Sequence, residues 1–143
     1  MSELKLSAIQ QRVLTILQNE QKAISAYALL EKVKPYGLQS PVQIYRILKK
    51  LSGYGLILRL ATLNKYLAYE LKNKQNYLLV TICTECQTVQ IIDSPQFTQV
   101  IEQSLVHQDF SPKHHCLELL GQCALCFSKR NKPFIKISEK ANG

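Results

Sequence analysis

Apolar residues recur at helical spacing from the start of the chain. Ile9, Val13, Ile16 and Leu17 fall on one face of a helix that Ser7 can cap and that runs to Asn19. Ser25 opens a second, short helix through Val33, with Ala28, Leu29 and Leu30 as its apolar side, and Lys34-Pro35-Tyr36-Gly37 breaks it. Ser40-Pro41 predicts a third helix, because a capping serine precedes a proline at the first helical position, where no amide donor is needed. That helix is expected to reach about Ser52, with Val42, Ile44, Tyr45, Leu48 and Leu51 inward and Gly53 and Gly55 ending it. The pattern then changes. Leu56–Leu60 and Lys65–Leu71 read as strands joined by the loop Ala61-Thr62-Leu63-Asn64. Three helices followed by a two-stranded hairpin is the order of a winged helix-turn-helix.

Lys72-Asn73-Lys74-Gln75-Asn76 contains no apolar residue and reads as a linker. Residues 1–72 are therefore expected to form one domain, 73–76 the connection and 77–143 a second domain. In the second, Tyr77–Cys83 and Thr88–Ile92 are strand-like, and Ser94-Pro95 can start a helix reaching about His107 with Phe97, Val100, Ile101 and Leu105 inward. His115–Leu120 is a third strand, and the basic tail from Lys129 is expected to fray after Ile137. The predicted class is α+β: a winged helix-turn-helix followed by a small α/β domain.

Composition agrees with a globular chain: among 143 residues, 46% are apolar and 20% charged. No run approaches 18 apolar residues, so no transmembrane helix is expected. Met1-Ser2-Glu3-Leu4-Lys5 lacks the basic-then-apolar layout of a signal peptide, which leads to the expectation of a cytoplasmic protein with cysteines as thiolates rather than disulfides. The net charge of +8 is unevenly placed. Residues 1–72 carry eleven Lys/Arg against four acidic residues, a balance of +7, whereas residues 73–143 stand at +1. The third helix concentrates the chemistry: Gln43, Arg46, Lys49 and Lys50 place hydrogen-bonding or cationic groups on its polar side, where a major groove could receive them. A small α+β domain with solvated surface lysines is the alternative reading of the same residues.

All five cysteines and all three histidines lie in the second half. Cys83-Thr84-Glu85-Cys86 and Cys123-Ala124-Leu125-Cys126 are two CxxC pairs with 36 residues between them, each expected at a strand end or turn. Two such knuckles supply the four thiolates of a tetrahedral structural zinc site. A redox CxxC would leave the second pair unexplained, and four unrelated buried cysteines is the remaining alternative. Cys116 is left over, either a buried thiol or a further ligand.

Together these features resemble the ferric/zinc uptake regulator (Fur) family of bacterial metal-responsive repressors, nearest its zinc-uptake (Zur) branch. Gln43-Ile44-Tyr45-Arg46-Ile47-Leu48, with Leu51 and Gly55-Leu56, resembles the family's recognition-helix motif, with Gln in place of Thr. Cys83-x-x-Cys86 follows the hairpin at the family's interval, and Phe110, His114, Glu118 and Gly121-Gln122-Cys123-x-x-Cys126 resemble its closing segment. The match spans about residues 7–127. It implies a homodimer formed through the second domain, with the four-cysteine zinc structural, one ion per chain, and two winged helices on a pseudo-palindromic double-stranded DNA operator. Carried over by position, Tyr45 would touch a thymine, although a core role for it stays open, and Arg46 would contact base or phosphate.

The resemblance departs at the family's sensory metal site. Asn76-Tyr77-Leu78-Leu79-Val80 stands where histidines are common, Leu67-Ala68-Tyr69-Glu70 where a zinc-type member offers a cysteine, and Ile91 where an acid is expected. Only His114 remains, with Glu118 as a candidate partner. One imidazole does not hold zinc at useful affinity. Either sensing is lost, or the site is rebuilt from His107, Asp109, His114, His115, Cys116 and Glu118, with Asp93 nearby. The function expected is a DNA-binding repressor controlling zinc or other metal homeostasis genes, with no membrane and no small-molecule substrate. The alternative is a zinc-stapled module binding protein or RNA without operator specificity. An enzyme is not expected, since the chain has no nucleophile–base pairing, phosphate loop or open three-ligand zinc motif.

Overall fold

A computed structural model describes residues 4–20 and 22–129. Two compact units make up the chain, Met1–Lys74 and Gln75–Gly143. The tail expected to fray after Ile137 lies outside the described residues.

In the first unit, α1 (Ala8–Asn19), α2 (Ala26–Val33) and α3 (Pro41–Gly53) are each opened by a serine in extended conformation. The sequence dictates these starts. Ser7 and Ser40 are each followed three residues later by glutamine, and both pairs form reciprocal capping boxes. Between α2 and α3 the chain makes a 3₁₀ turn, Lys34–Tyr36, closed by Gly37 at φ +97°. The antiparallel hairpin of β1 (Ile57–Leu60) and β2 (Lys65–Ala68) follows, and Ile24 bridges to Tyr66 through two backbone hydrogen bonds of 2.8 Å. Past β2, Tyr69 and Leu71 donate to the carbonyls of Leu56 and Gly55. Gly55 has φ +75°, and a Cβ there would lie 3.2 Å from Lys74 Cε.

The core joins Val13, Leu17, Leu29, Val33, Ile44, Leu48, Leu51 and Ile57, all nearly inaccessible. Three expectations about inward positions are corrected. Val42 is 60% exposed and Tyr45 39%, while Ile47 is buried. The stripe 44-47-48-51 is the one facing the other helices; Val42 lies roughly 160° around the helix from Ile44, and Tyr45 about 100°. In α2, Ala26 and Val33 flank the buried leucines and Ala28 faces out.

The second unit holds a three-stranded sheet of order β4-β3-β5, from β3 (Leu78–Cys83), β4 (Val89–Asp93) and β5 (Cys116–Gly121). β4 runs antiparallel to β3 through a tight turn, and β5 runs parallel to it. The crossover contains α4 (Pro95–Leu105), capped by Ser94. Here too one inward position is corrected: Val100 is 57% exposed, and the buried residue is Thr98. Its hydroxyl accepts from Tyr77 N at 2.9 Å, so burial leaves no polar atom unsatisfied. A short helix, α5 (Ala124–Ser128), ends the described region. No helix among the described residues is long and apolar enough to cross a membrane.

Candidate metal centre and nucleic-acid interface

Parallel pairing of β3 with β5 explains how cysteines 36 residues apart meet. Both strands end at the same edge of the sheet, with Cys83 opposite Gly121. The loops beyond them are tied together: Thr84 N donates to Gly121 O at 2.8 Å, and Gln122 Nε2 to Glu85 Oε1 at 2.7 Å. Gln87 takes φ +60° to turn the first knuckle back into β4. The second pair sits differently from expectation, since Cys123 is the N-cap of α5 and Cys126 lies inside that helix. A CxxC at a helix start also suits redox chemistry, yet here both pairs converge on one point.

The four sulfurs lie within 4.8 Å of one another, with Cys86 and Cys123 Sγ 3.7 Å apart. Zinc–thiolate bonds near 2.3 Å in a tetrahedron require sulfur–sulfur edges of about 3.8 Å, so the donor set fits this ion. Cys83 and Cys126 are buried and the other two half-buried. Backbone amides of Cys86 and Cys123 hold the Cys83 thiol down to about 6 against the opposing effect of burial. The Thr88 hydroxyl, 2.9 Å from Cys86 Sγ, lowers that thiol as well. Cys126 goes the other way, pushed up to about 12 by the Cys123 sulfur and then by burial. Sulfurs this close oppose one another's ionisation, and a divalent cation among them reverses that order by deprotonating coordinated thiols outright.

The other candidate donors are not gathered. Among the described residues, the four cysteines are the single group of three or more His, Cys, Asp or Glu side chains brought within ligating reach of each other. His107, Asp109 and His114 are exposed, and Cys116 and Glu118 are partly covered on β5. His115 is engaged otherwise: its ring stacks on Tyr77 at 4.4 Å and 8°, and its Nδ1 is 3.2 Å from Gln75 O. Burial, followed by the charge of Glu118, pushes the Cys116 thiol up to about 11.

In the first unit, α3 presents Val42, Tyr45, Arg46, Lys49 and Lys50 to solvent opposite its buried stripe. The ion pairs among the described residues are Lys32–Glu20 and Lys34–Glu31, so none neutralises Arg46, Lys49 or Lys50. Gln43 has a structural task. Its Oε1 accepts from the backbone N–H groups of Gln39 (3.1 Å) and Ser40 (3.2 Å), leaving its amide donors for other use. Sequence reasoning also passed over Arg59, exposed between inward Leu58 and Leu60 and held by Asn64 Oδ1 at 3.2 Å. An isolated cation within an otherwise apolar strand was the available signal.

Residues 1–120 match the ferric uptake regulator family. Among solved structures, holo XcZur is similar, with 26% identity, TM-score 0.76 and 89% of each chain covered. A zinc uptake regulator complexed with zinc and DNA is 23% identical, with TM-score 0.79 over 90% of this chain and 87% of that one. The ferric uptake regulator of Helicobacter pylori, described as having three functional metal-binding sites, is 17% identical, with TM-score 0.58 over 86% and 82%. The latter two likenesses concern the fold. No curated protein sequence matches this chain.

Proposed function

Since the chain belongs to the ferric uptake regulator family, we propose that it is a homodimeric transcriptional repressor that reads double-stranded DNA with α3. The observation that carries this reading is the outward face of α3, where Tyr45, Arg46, Lys49 and Lys50 project without acidic partners among the described residues. Long cationic and hydrogen-bonding side chains on a capped helix suit phosphates and base edges in the major groove. The solved zinc- and DNA-bound relative supports the same assignment. Cys83, Cys86, Cys123 and Cys126 hold one structural zinc per chain, which fastens β3 to β5 and α5 and supplies folding energy rather than chemistry. β5 supports dimerisation: among the described strands it pairs only with β3, and Leu117, Leu119 and Leu120 along it are exposed. A two-fold dimer places its reading helices about one helical turn apart, roughly 34–36 Å, or a multiple of that. Acting on DNA with thiolate-held zinc, the protein works in the cytoplasm.

The sensory site of the family is degenerate in this chain. Asn76, Ala68 and Ile91 offer no strong ligand where the family places donors, and the His107–Glu118 donors are dispersed. Zinc or another metal remains the theme of the regulated genes, with control by metal weakened. The test is a gel shift over a salt series on palindromic A·T-rich duplexes selected from a random pool by the protein itself. A repressor retards the selected duplex well above a scrambled one and loses affinity linearly in log–log salt. Equal binding to both duplexes, or to none, overturns the reading and leaves a zinc-stapled interaction module.

A further inference from the structure

A single exposed valine is ordinary on a protein surface. The position of Val42 is what sets it apart. It sits in the first turn of α3 and is 60% exposed. Tyr45 and Arg46 follow at three and four residues and Lys49 at seven, so all four share one face of the helix. At the start of this face the polar alternative is closed. Bidentate reading of adenine needs both the oxygen and the nitrogen of an amide, and Gln43 Oε1 already accepts from Gln39 N and Ser40 N. What the N-terminal end of the helix offers to a groove is therefore aliphatic.

We propose that Val42 is a specificity-determining residue that packs against the 5-methyl group of one operator thymine. The inference rests on the DNA-reading role of α3. DNA is the occupant because the same face continues into Arg46 and Lys49, which no acidic residue pairs among the described residues, on a unit of strongly positive balance. Base edges in the major groove are polar except for the thymine methyl, so an aliphatic side chain entering there has one apolar target. Residues at the N-terminal end of a recognition helix are the ones that reach base edges. Val42 thereby adds a contact that distinguishes thymine from cytosine, at a different base from the one Tyr45 meets.

The measurement is a thymine-to-deoxyuridine scan of the selected duplex, one position at a time, with fluorescence anisotropy on the full chain loaded with zinc. Deoxyuridine removes the methyl and nothing else. At one position per half-site, wild type should lose about fourfold in affinity, which corresponds to about 0.8 kcal/mol for one apolar carbon group. Val42→Ser should bind the unsubstituted duplex about fourfold more weakly and show no further loss at that position, the coupling expected of two groups in contact. Because Val42 is exposed, Val42→Ser should melt as wild type does. A loss that persists in Val42→Ser and vanishes in Tyr45→Ala assigns the methyl to Tyr45 and overturns the proposal. So does a scan with no position that depends on Val42. Failure of wild type to select any duplex is a different result, and it removes the DNA-reading role itself.

Discussion

Arg46 and Lys49 share a face of α3, and under the proposed DNA-reading role they are expected to meet different parts of DNA. A guanidinium can form two parallel hydrogen bonds to a guanine edge, while an ammonium at the end of a flexible stem acts mainly as a point charge. Arg46→Ala is therefore expected to cost about 1–3 kcal/mol of base discrimination. Lys49→Ala should weaken all duplexes alike and reduce the log–log salt slope by about one. Competition binding against single-base variants over a salt series separates the two, and identical profiles for both variants would refute the assignment. Cys116 supplies a second prediction at this scale. Burial and the Glu118 charge raise its thiol from 9 to about 11 in the folded chain. The folded state then holds a proton that the unfolded state gives up, so the Cys116 contribution to stability is constant below about pH 9 and is lost as pH rises towards 11. Urea midpoints across this range should drop in wild type and drop less in Cys116→Ala; equal slopes would show that Cys116 does not titrate with unfolding. The thiol of Cys116 was visible in the sequence, as was Glu118 two residues along the same side of a strand, but the shift was not, because it arises first from burial, which the packing of the fold sets.

At the scale of elements, the starts of helices were legible because the cap is local chemistry. Ser7 with Gln10 and Ser40 with Gln43 each satisfy backbone donors that would otherwise lack partners, and both appear in the structure as read, apart from the glutamine's part in the box. Replacing Ser40 by Ala should destabilise the first unit by about 1 kcal/mol. Gln43 should keep its place, since its Oε1 accepts from backbone N–H groups that alanine retains. Thermal melts followed by helical circular dichroism check the cost, and an unchanged midpoint would show that Pro41 alone sets the start. Inward faces were less legible than starts. Val42, Tyr45 and Val100 are apolar at positions expected to point inward, yet all three face out. Apolarity shows that a residue can be buried; which stripe is buried depends on where the neighbouring elements lie. Thr98 is the converse, polar and buried because Tyr77 supplies a backbone donor from a different element. No periodicity within α4 encodes that partner.

The whole molecule separates two roles that metal could play. The four cysteines were readable from spacing because their chemistry, unlike their hydrogen bonding, is carried by residue type alone. Cys83→Ser removes a buried ligand from a set whose sulfurs already lie within 4.8 Å of one another. It should release zinc, melt the second unit and abolish dimerisation while the helical signal of the first unit persists; a dimeric variant still carrying one zinc per chain would contradict this. Sensing is a separate matter. His107, Asp109, His114, His115, Cys116 and Glu118 are dense in sequence but scattered in space, partly because neighbouring residues on a strand point to opposite sides. His115 is further committed to the Tyr77 stack and the Gln75 carbonyl. A metal tightens DNA binding only as far as it prefers the DNA-competent state. Moving that state from 1:99 to 99:1 takes about 5.5 kcal/mol of preference, which one imidazole does not supply. With the four-cysteine zinc retained, operator affinity is thus expected to change less than about tenfold, or about 1.4 kcal/mol, when micromolar zinc is added. His114→Ala, an exposed position whose loss should not disturb packing, should remove any remaining response. A response of about a hundredfold, or about 2.7 kcal/mol, that survives His114→Ala would place the sensor elsewhere and show that the dispersed donors assemble when metal arrives.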